Sequence, residues 1–431
     1  MEERLRSPHR ISGTVNPPGD KSISHRAAMF NAIADGEAVI ENFLRGADCL
    51  ATLNCLRRLG VDWRWREDGM LHIKGAGKDG LREPASVLDC RNSGTSIRLL
   101  AGLLSGQPFF SVLTGDASLR SRPMSRVIEP LGRMGARISG RENGSKAPLA
   151  VTGGGLNGIH YEMPVASAQV KSAVVLAGLY ADGETTLTEP APTRDHTERM
   201  LAAMGADVRF GEGPEVRVRP LKGELRAMSM RVPGDISSAA PWLVLGAAHP
   251  DAEIRIAGVC VNPTRTGILD ILQMMGADIS LEEERTVGAE PVADIVVRTS
   301  RLRGVSVEGE LVPRAIDELP LVALAGCFAE GETVIREASE LRVKESDRVR
   351  TTAQGLRALG ARMEEAPDGM RIEGGRGLKG ATATARGDHR LALMLGVAGS
   401  LAAGETVVRS SESVAVSYPW FWKDLRGLAR R

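Results

Sequence analysis

The stretch AEGETVIRE, residues 329–337, sets a Gly-acid step between an apolar, helix-prone run and a β-prone one. The same step recurs as DGEAVIEN (35–42), ADGETTLTE (181–189) and AAGETVVRS (402–410), which makes Gly36, Gly183, Gly331 and Gly404 equivalent. Two weaker copies, SGQPFFSVL at Gly106 and PDAEIRIAG near Ala252, fill the gaps, with successive separations of 70, 77, 69, 79 and 73 residues. Six units of about 72 residues therefore use up the 431-residue chain. A second punctuation mark follows in RRLGVD, GRMGARI, AAMGADV, QMMGADI and RALGARM. There Gly60, Gly135, Gly205, Gly276 and Gly360 stand where a helix should end and turn into the next strand. Each unit reads as polar loop, helix, strand, helix, strand, and the fold class is α/β.

PPGDKS at 17 and VPGDIS at 232 put Gly19 and Gly234 215 residues apart, half the chain, which predicts two pseudo-equivalent halves of three units each. Fifty-five basic residues against fifty-four acidic ones leave a net charge of +1, so no global field calls for nucleic acid or an anionic membrane. The five cysteines are scattered and never in a C-x-x-C spacing, which argues against a disulfide framework or structural zinc. The opening MEERLRSPHR lacks the apolar core of a signal peptide, and the apolar run LALMLGVAGSLAAG is too short to span a bilayer. A cytoplasmic protein is expected.

The loops that open the helices read GDKSISHR, RNSGTSIR, ASAQVKS, GDISSAA, RAIDELP and ARGDHR. Capping explains their hydroxyls and acids. It does not explain Lys21, Arg26, Arg98, Lys171 and Arg390, which lie where the helix macrodipole disfavours a cation unless an anion is present. One such cation reads as solvated surface charge; five in equivalent loops point to a polyanionic substrate. In LRVKESDRVR, Lys344 and Arg348 are four apart on one helical face, and Glu345 can pair with Arg348. In SLRSRPMSR, Arg120, Arg122 and Arg126 form either a solvated loop or a clamp for phosphate or carboxylate. Asp317 in IDELP precedes a helix beginning near Pro320, and two adjacent acids there exceed what a cap needs. Asp317 is a candidate general base.

PGDKSISHRA, NSGTSIRLLAGLL, RPM, SAQVKSAVVLAGLYA, TRDHTERML, IDELP, LRVKESDR and GDHRLAL together resemble the 5-enolpyruvylshikimate-3-phosphate synthase family, in order, from about residue 11 to 420. SAQVK and RDHTE resemble its bacterial second class. The resemblance implies two domains, each of three βαβαββ units, with helix N-termini facing an interdomain cleft. Residues 1–18 with 231–431 would form a discontinuous domain, and residues 19–230 a continuous one. It implies transfer of the enolpyruvyl group of phosphoenolpyruvate to the 5-hydroxyl of shikimate 3-phosphate with release of phosphate, using no cofactor and no metal.

Carried over by position, Lys21, Ser22, Arg26, Ser167, Ala168, Gln169, Arg194, Asp317 and Lys344 would hold shikimate 3-phosphate. Lys21, Asn92, Gly94, Arg122, Gln169, Arg348 and Arg390 would surround phosphoenolpyruvate. Asp317 would take the 5-hydroxyl proton, and Glu345 with Lys21 would protonate the methylene carbon. A tetrahedral ketal would then lose phosphate, with domain closure excluding water. The chain departs from the enterobacterial class in having Ala168 in place of a serine, and Val416 in place of a lysine. The sister enzyme acting on UDP-N-acetylglucosamine carries a loop cysteine where this chain has Ala117. A non-catalytic anion- or RNA-end-binding protein on a related fold would not need both Asp317 and Glu345. A monomer bound to neither nucleic acid nor membrane is expected.

Overall fold

Gly60, Gly135, Gly205, Gly276 and Gly360 all adopt positive φ, between 88° and 105°, in the computed structural model, which describes residues 1–211 and 213–430. Each follows the cap of a helix, and the residue after it donates its N–H back to a leucine carbonyl: Val61 to Leu56, Ala136 to Leu131, Ala206 to Leu201, Ala277 to Leu272 and Ala361 to Leu356, at 2.9–3.1 Å. This helix-ending motif needs a left-handed residue, and glycine adopts that conformation without a Cβ clash. Gly36, Gly183, Gly331 and Gly404 share positive φ, from 89° to 105°. Gly106 does not, with φ −82°. Its glycine is required for another reason: an added Cβ would run into the Tyr180 ring.

Six larger sheets and one two-stranded pair organise the described residues. Each larger sheet holds a parallel strand pair, as the helix crossover of a repeat requires. In the copy beginning at Leu88–Asp89, the chain passes through the helix Gly94–Ser105 to the parallel strand Phe110–Thr114. It then runs through the helix Ser125–Arg133 to the antiparallel strands Arg137–Arg141 and Lys146–Thr152. This is the βαβαββ order.

The chain divides into two compact units. One contains Met1–Pro18, Pro233–Thr286 and Pro291 onward; the other contains Gly19–Val232 with Val287–Glu290. In the first, the strand Arg10–Val15 pairs in parallel with Ala252–Cys260, and Glu2–Arg6 pairs antiparallel with Glu405–Arg409. In the second, Met230–Arg231 pairs in parallel with Glu37–Glu41.

The entry helix of each repeat is buried almost all round, which explains why these helices lack the one-sided apolar stripe of a surface helix. In the first unit, Ile236–Ala248, Leu319–Phe328 and His389–Leu401 pack on one another in the core. In the second, Gly102 lies so close to the Ala173 backbone that any side chain there would collide, bringing Gly94–Ser105 and Ala168–Gly178 together. Side chains cap Lys21–Ala32, Gly94–Ser105, Ala168–Gly178, Ile236–Ala248 and His389–Leu401 through Asp20, Ser93, Ser167, Asp235 and Asp388. Leu319–Phe328 has no such bond and instead carries Pro320 in its first turn.

Nothing stands within 4 Å of a Cβ added at Gly360 or at the exposed helical Gly427. Gly360→Ala should therefore lose about 1 kcal/mol through backbone strain alone, while Gly427→Ala should be neutral or gain a few tenths. Urea unfolding of both variants checks the sign at each position.

Candidate active site

In the unit containing Gly19–Val232, three helix starts converge through their side chains. Lys21 Nζ lies 3.3 Å from Asp48 Oδ2, and both are largely buried. Arg26 is 3% exposed; it donates through Nε to Thr197 Oγ1 at 2.7 Å, to Ser172 Oγ at 2.6 Å and to the Ser22 carbonyl at 3.0 Å. Burial pushes its guanidinium down to about 10 against the pull of Glu198 and Asp20, and Arg194 adds repulsion. Arg98 donates to Gln169 Oε1 and to the Pro123 carbonyl, and Gln169 Nε2 donates to Thr95 Oγ1 at 3.1 Å. Arg122, 8% exposed, donates to Asn92 Oδ1, while Asn92 Nδ2 donates to Asp116 at 2.7 Å. Gly94 keeps open the space between Arg98 and Arg122: a Cβ there would stand 2.9 Å from one guanidinium and 3.2 Å from the other. Ser167 and Ala168 form the half-buried start of Ala168–Gly178, and the half-buried Arg194 lies in the loop before His196–Ala203.

In the other unit, Arg348 is 1% exposed and grips three carboxylates: Asp388 at 2.9 Å, Asp317 at 3.0 Å and Glu345 at 2.6 Å. Burial alone would push this guanidinium down, but the three carboxylates raise it above its ordinary value. Asp388 moves below the usual carboxylate range because Arg348, with His389, outweighs its burial. Lys344 Nζ stands 3.8 Å from Asp317. Arg390 is 6% exposed, and its Nε and Nη1 donors meet no acceptor among the described residues.

Two expectations need correction. Lys171 does not await an outside anion: it is buried and bound at 2.8 Å to each of Glu189 and Glu198. Lys344 and Arg348 do not share a helical face, because a 3-10 turn over Ser339–Val343 ends at Lys344 and a new helix starts at Arg348. Asp347 makes the break: its side chain caps the Arg350 N–H at 3.1 Å and holds Arg342 at 2.8 Å. Arg120 donates to the Gly115 carbonyl and so serves its own loop.

A family model described as EPSP synthase (3-phosphoshikimate 1-carboxyvinyltransferase) matches residues 5–425. The chain belongs to the EPSP synthase family. The 3-phosphoshikimate 1-carboxyvinyltransferase of Roseiflexus sp. is 55% identical over 427 residues, covering 98% of each chain. That of Chloroflexus aurantiacus is 54% identical over 424 residues, covering 98% of this chain and 97% of the relative. Among solved structures, EPSP synthase from Acinetobacter baumannii matches with TM-score 0.88 and 45% identity over 100% of this chain and 98% of that one. The enolpyruvyl transferase NikO from Streptomyces tendae matches with TM-score 0.77 at 21% identity, over 99% and 96% of the two chains, and shares the fold. The two-domain enolpyruvyl transferase fold is thus the fold of this EPSP synthase family member.

Sequence reading missed Asp48, Asp116 and Asp388, the acids that hold Lys21, Asn92 and Arg348. Asp388 had a signal in the GDHR loop; Asp48, in the first turn of the helix Ala47–Arg58, and Asp116, which caps Ala117–Ser121, lie in segments with no distinguishing pattern. His25 was missed as well. It is fully buried with Nδ1 2.7 Å from Thr52 Oγ1, and that hydroxyl reaches Ser96, which reaches the cap Ser93. This chain of side chains ties the start of Lys21–Ala32 to that of Gly94–Ser105.

Burial, then repulsion from Lys21 and Arg26, hold His25 well below its ordinary 6.5. The unfolded chain takes up a proton below that pH and the folded one does not, so stability falls as pH drops below 6.5, by about 1.4 kcal/mol per unit while folded His25 stays neutral. His25→Asn should remove this dependence. Urea unfolding of both proteins at about pH 7, 6 and 5 should show their stability gap shrinking as pH falls.

Proposed function

We propose that this chain transfers the enolpyruvyl group of phosphoenolpyruvate to the 5-hydroxyl of shikimate 3-phosphate, releasing phosphate, with the residues named above in the expected roles. The observation that carries the reading is Arg390, a nearly fully buried guanidinium with donors that no described group accepts, two residues after Asp388 of the Asp388–Arg348–Asp317–Glu345 cluster. Buried donors of this kind are costly unless an anion completes them. Two phosphates and two carboxylates among the substrates meet that requirement; in the other unit, the helix starts carrying Lys21, Gly94 and Ala168 offer positive ends of their own to an anion.

Asp317, 3.8 Å from Lys344 and 3.0 Å from Arg348, serves as the base for the 5-hydroxyl. Phosphoenolpyruvate arriving on Arg348 takes over a guanidinium that Glu345 now grips. Glu345, left beside an anion, takes up a proton from solvent and holds it until the methylene carbon needs it. With Lys21 it delivers that proton. As phosphate departs from the tetrahedral ketal, its charge falls to Arg122, Arg348 and Arg390, and a proton lost from the intermediate's methyl group back to Glu345 restores the enolpyruvyl double bond.

Residues 1–18 with 231–431, and residues 19–230, serve as the two domains. The chain works as a monomer in the cytoplasm without nucleic acid or membrane, which fits its net charge of +1. No described helix is long and apolar enough to cross a membrane.

Given both substrates, the purified chain should release inorganic phosphate, and no release at any pH between about 5 and 9 would overturn the reading. Asp317→Asn should lower turnover by about 10²–10⁴-fold while shikimate 3-phosphate still binds; unchanged turnover would remove Asp317 as the base. Gly94→Ala should raise KM for phosphoenolpyruvate and weaken inhibition by its competitor glyphosate, because the methyl crowds Arg98 and Arg122. Inhibition curves for the two proteins that superimpose would show that this space is not used.

A further inference from the structure

Lys171 lies in the first turn of Ala168–Gly178, and its ammonium is enclosed by protein groups. It donates to Glu189 Oε2 at 2.8 Å and to the Thr193 carbonyl at 3.3 Å, and pairs electrostatically with Glu198 Oε1 at 2.8 Å. The Thr193 hydroxyl donates in turn to the other oxygen of Glu189. Burial pushes the Lys171 ammonium down, but the two carboxylates more than offset it and keep it charged. Burial also pushes the Glu198 carboxyl up against the pull of Lys171.

Burying one ammonium with two carboxylates is a poor way to stabilise a fold, since apolar residues of similar volume do as well or better. What the cluster supplies is geometry. It joins a helix start, the residue after the strand Thr185–Thr188, and the first turn of the helix His196–Ala203 at one nitrogen. Arg194 follows Thr193 directly. On the same helix, Thr197 accepts from Arg26 and shares a hydrogen bond with Ser172, the neighbour of Lys171. Both Arg194 and Arg26 are therefore carried on the frame that Lys171 closes.

We infer that Lys171, with Glu189 and Glu198, is a positioning group for the shikimate 3-phosphate subsite. It fixes the loop from Glu189 to Asp195 so that Arg194 meets the anion, and it does not touch substrate itself. The inference rests on the proposed role of Arg194 in holding shikimate 3-phosphate.

Steady-state kinetics of the full chain with both substrates test it, using Lys171→Met, the near-isosteric Thr193→Val, and Arg194→Ala as reference. Lys171→Met should raise KM for shikimate 3-phosphate about tenfold or more, and Thr193→Val about fivefold, the scale of one lost charged or neutral hydrogen bond. In both, kcat and KM for phosphoenolpyruvate should stay within about twofold of the parent, a split that a merely destabilised fold does not produce. Thr193→Val decides the matter if Lys171→Met does not fold. If Arg194→Ala raises that KM and neither other variant does, the positioning role is overturned and the subsite reading stands. If Arg194→Ala leaves it unchanged, the subsite reading falls and the inference with it. A loss confined to kcat, with KM unmoved, also overturns the positioning role.

Discussion

A cation buried at the start of a helix has to find negative charge, because the helix's own unpaired N–H groups already make that end positive. The two units meet this demand in several ways. Lys21 leans on Asp48, Lys171 is saturated by Glu189 and Glu198, and Arg348 is enclosed by Asp317, Glu345 and Asp388. Arg390 is left with donors that no described group accepts. Lys171, paired with two carboxylates that have no other assigned task, belongs to the framework, while the incomplete Arg390 marks a binding site.

The framework depends on the repeat. Buried entry helices need small residues where they cross, as Gly102 against Ala173 shows. They also need firm ends for the second helices, which the five positive-φ glycines and their back-directed hydrogen bonds supply. With backbones fixed in this way, hydroxyl and amide side chains can join neighbouring helix starts without strain. The His25–Thr52–Ser96–Ser93 chain and the Arg98–Gln169–Thr95 link are made of such groups, and they hold the charged residues at defined separations.

Much of this was legible in the sequence because it is local. A glycine after a helical run reports a left-handed turn, and a spacing repeated along the chain reports a repeated supersecondary unit. Lys344 and Arg348 were misread for a local reason too: a four-residue spacing suggests a shared helical face, but Asp347 between them caps a new helix. Lys171 was misread for a non-local reason, since Glu189 and Glu198 lie 18 and 27 positions away and nothing in SAQVKS reveals them.

The sequence by itself determined the α/β class, the six-fold repeat, the family and the cations and acids available for chemistry, since each depends on residue type and spacing along the chain. Only the tertiary structure decided which cations are spent inside the protein and which remain for a ligand. That depends on which carboxylates folding brings within hydrogen-bonding reach, and on burial, which makes a missing partner costly. The two readings of Lys171 and Arg390, alike as sequence and opposite as structure, rest on that difference.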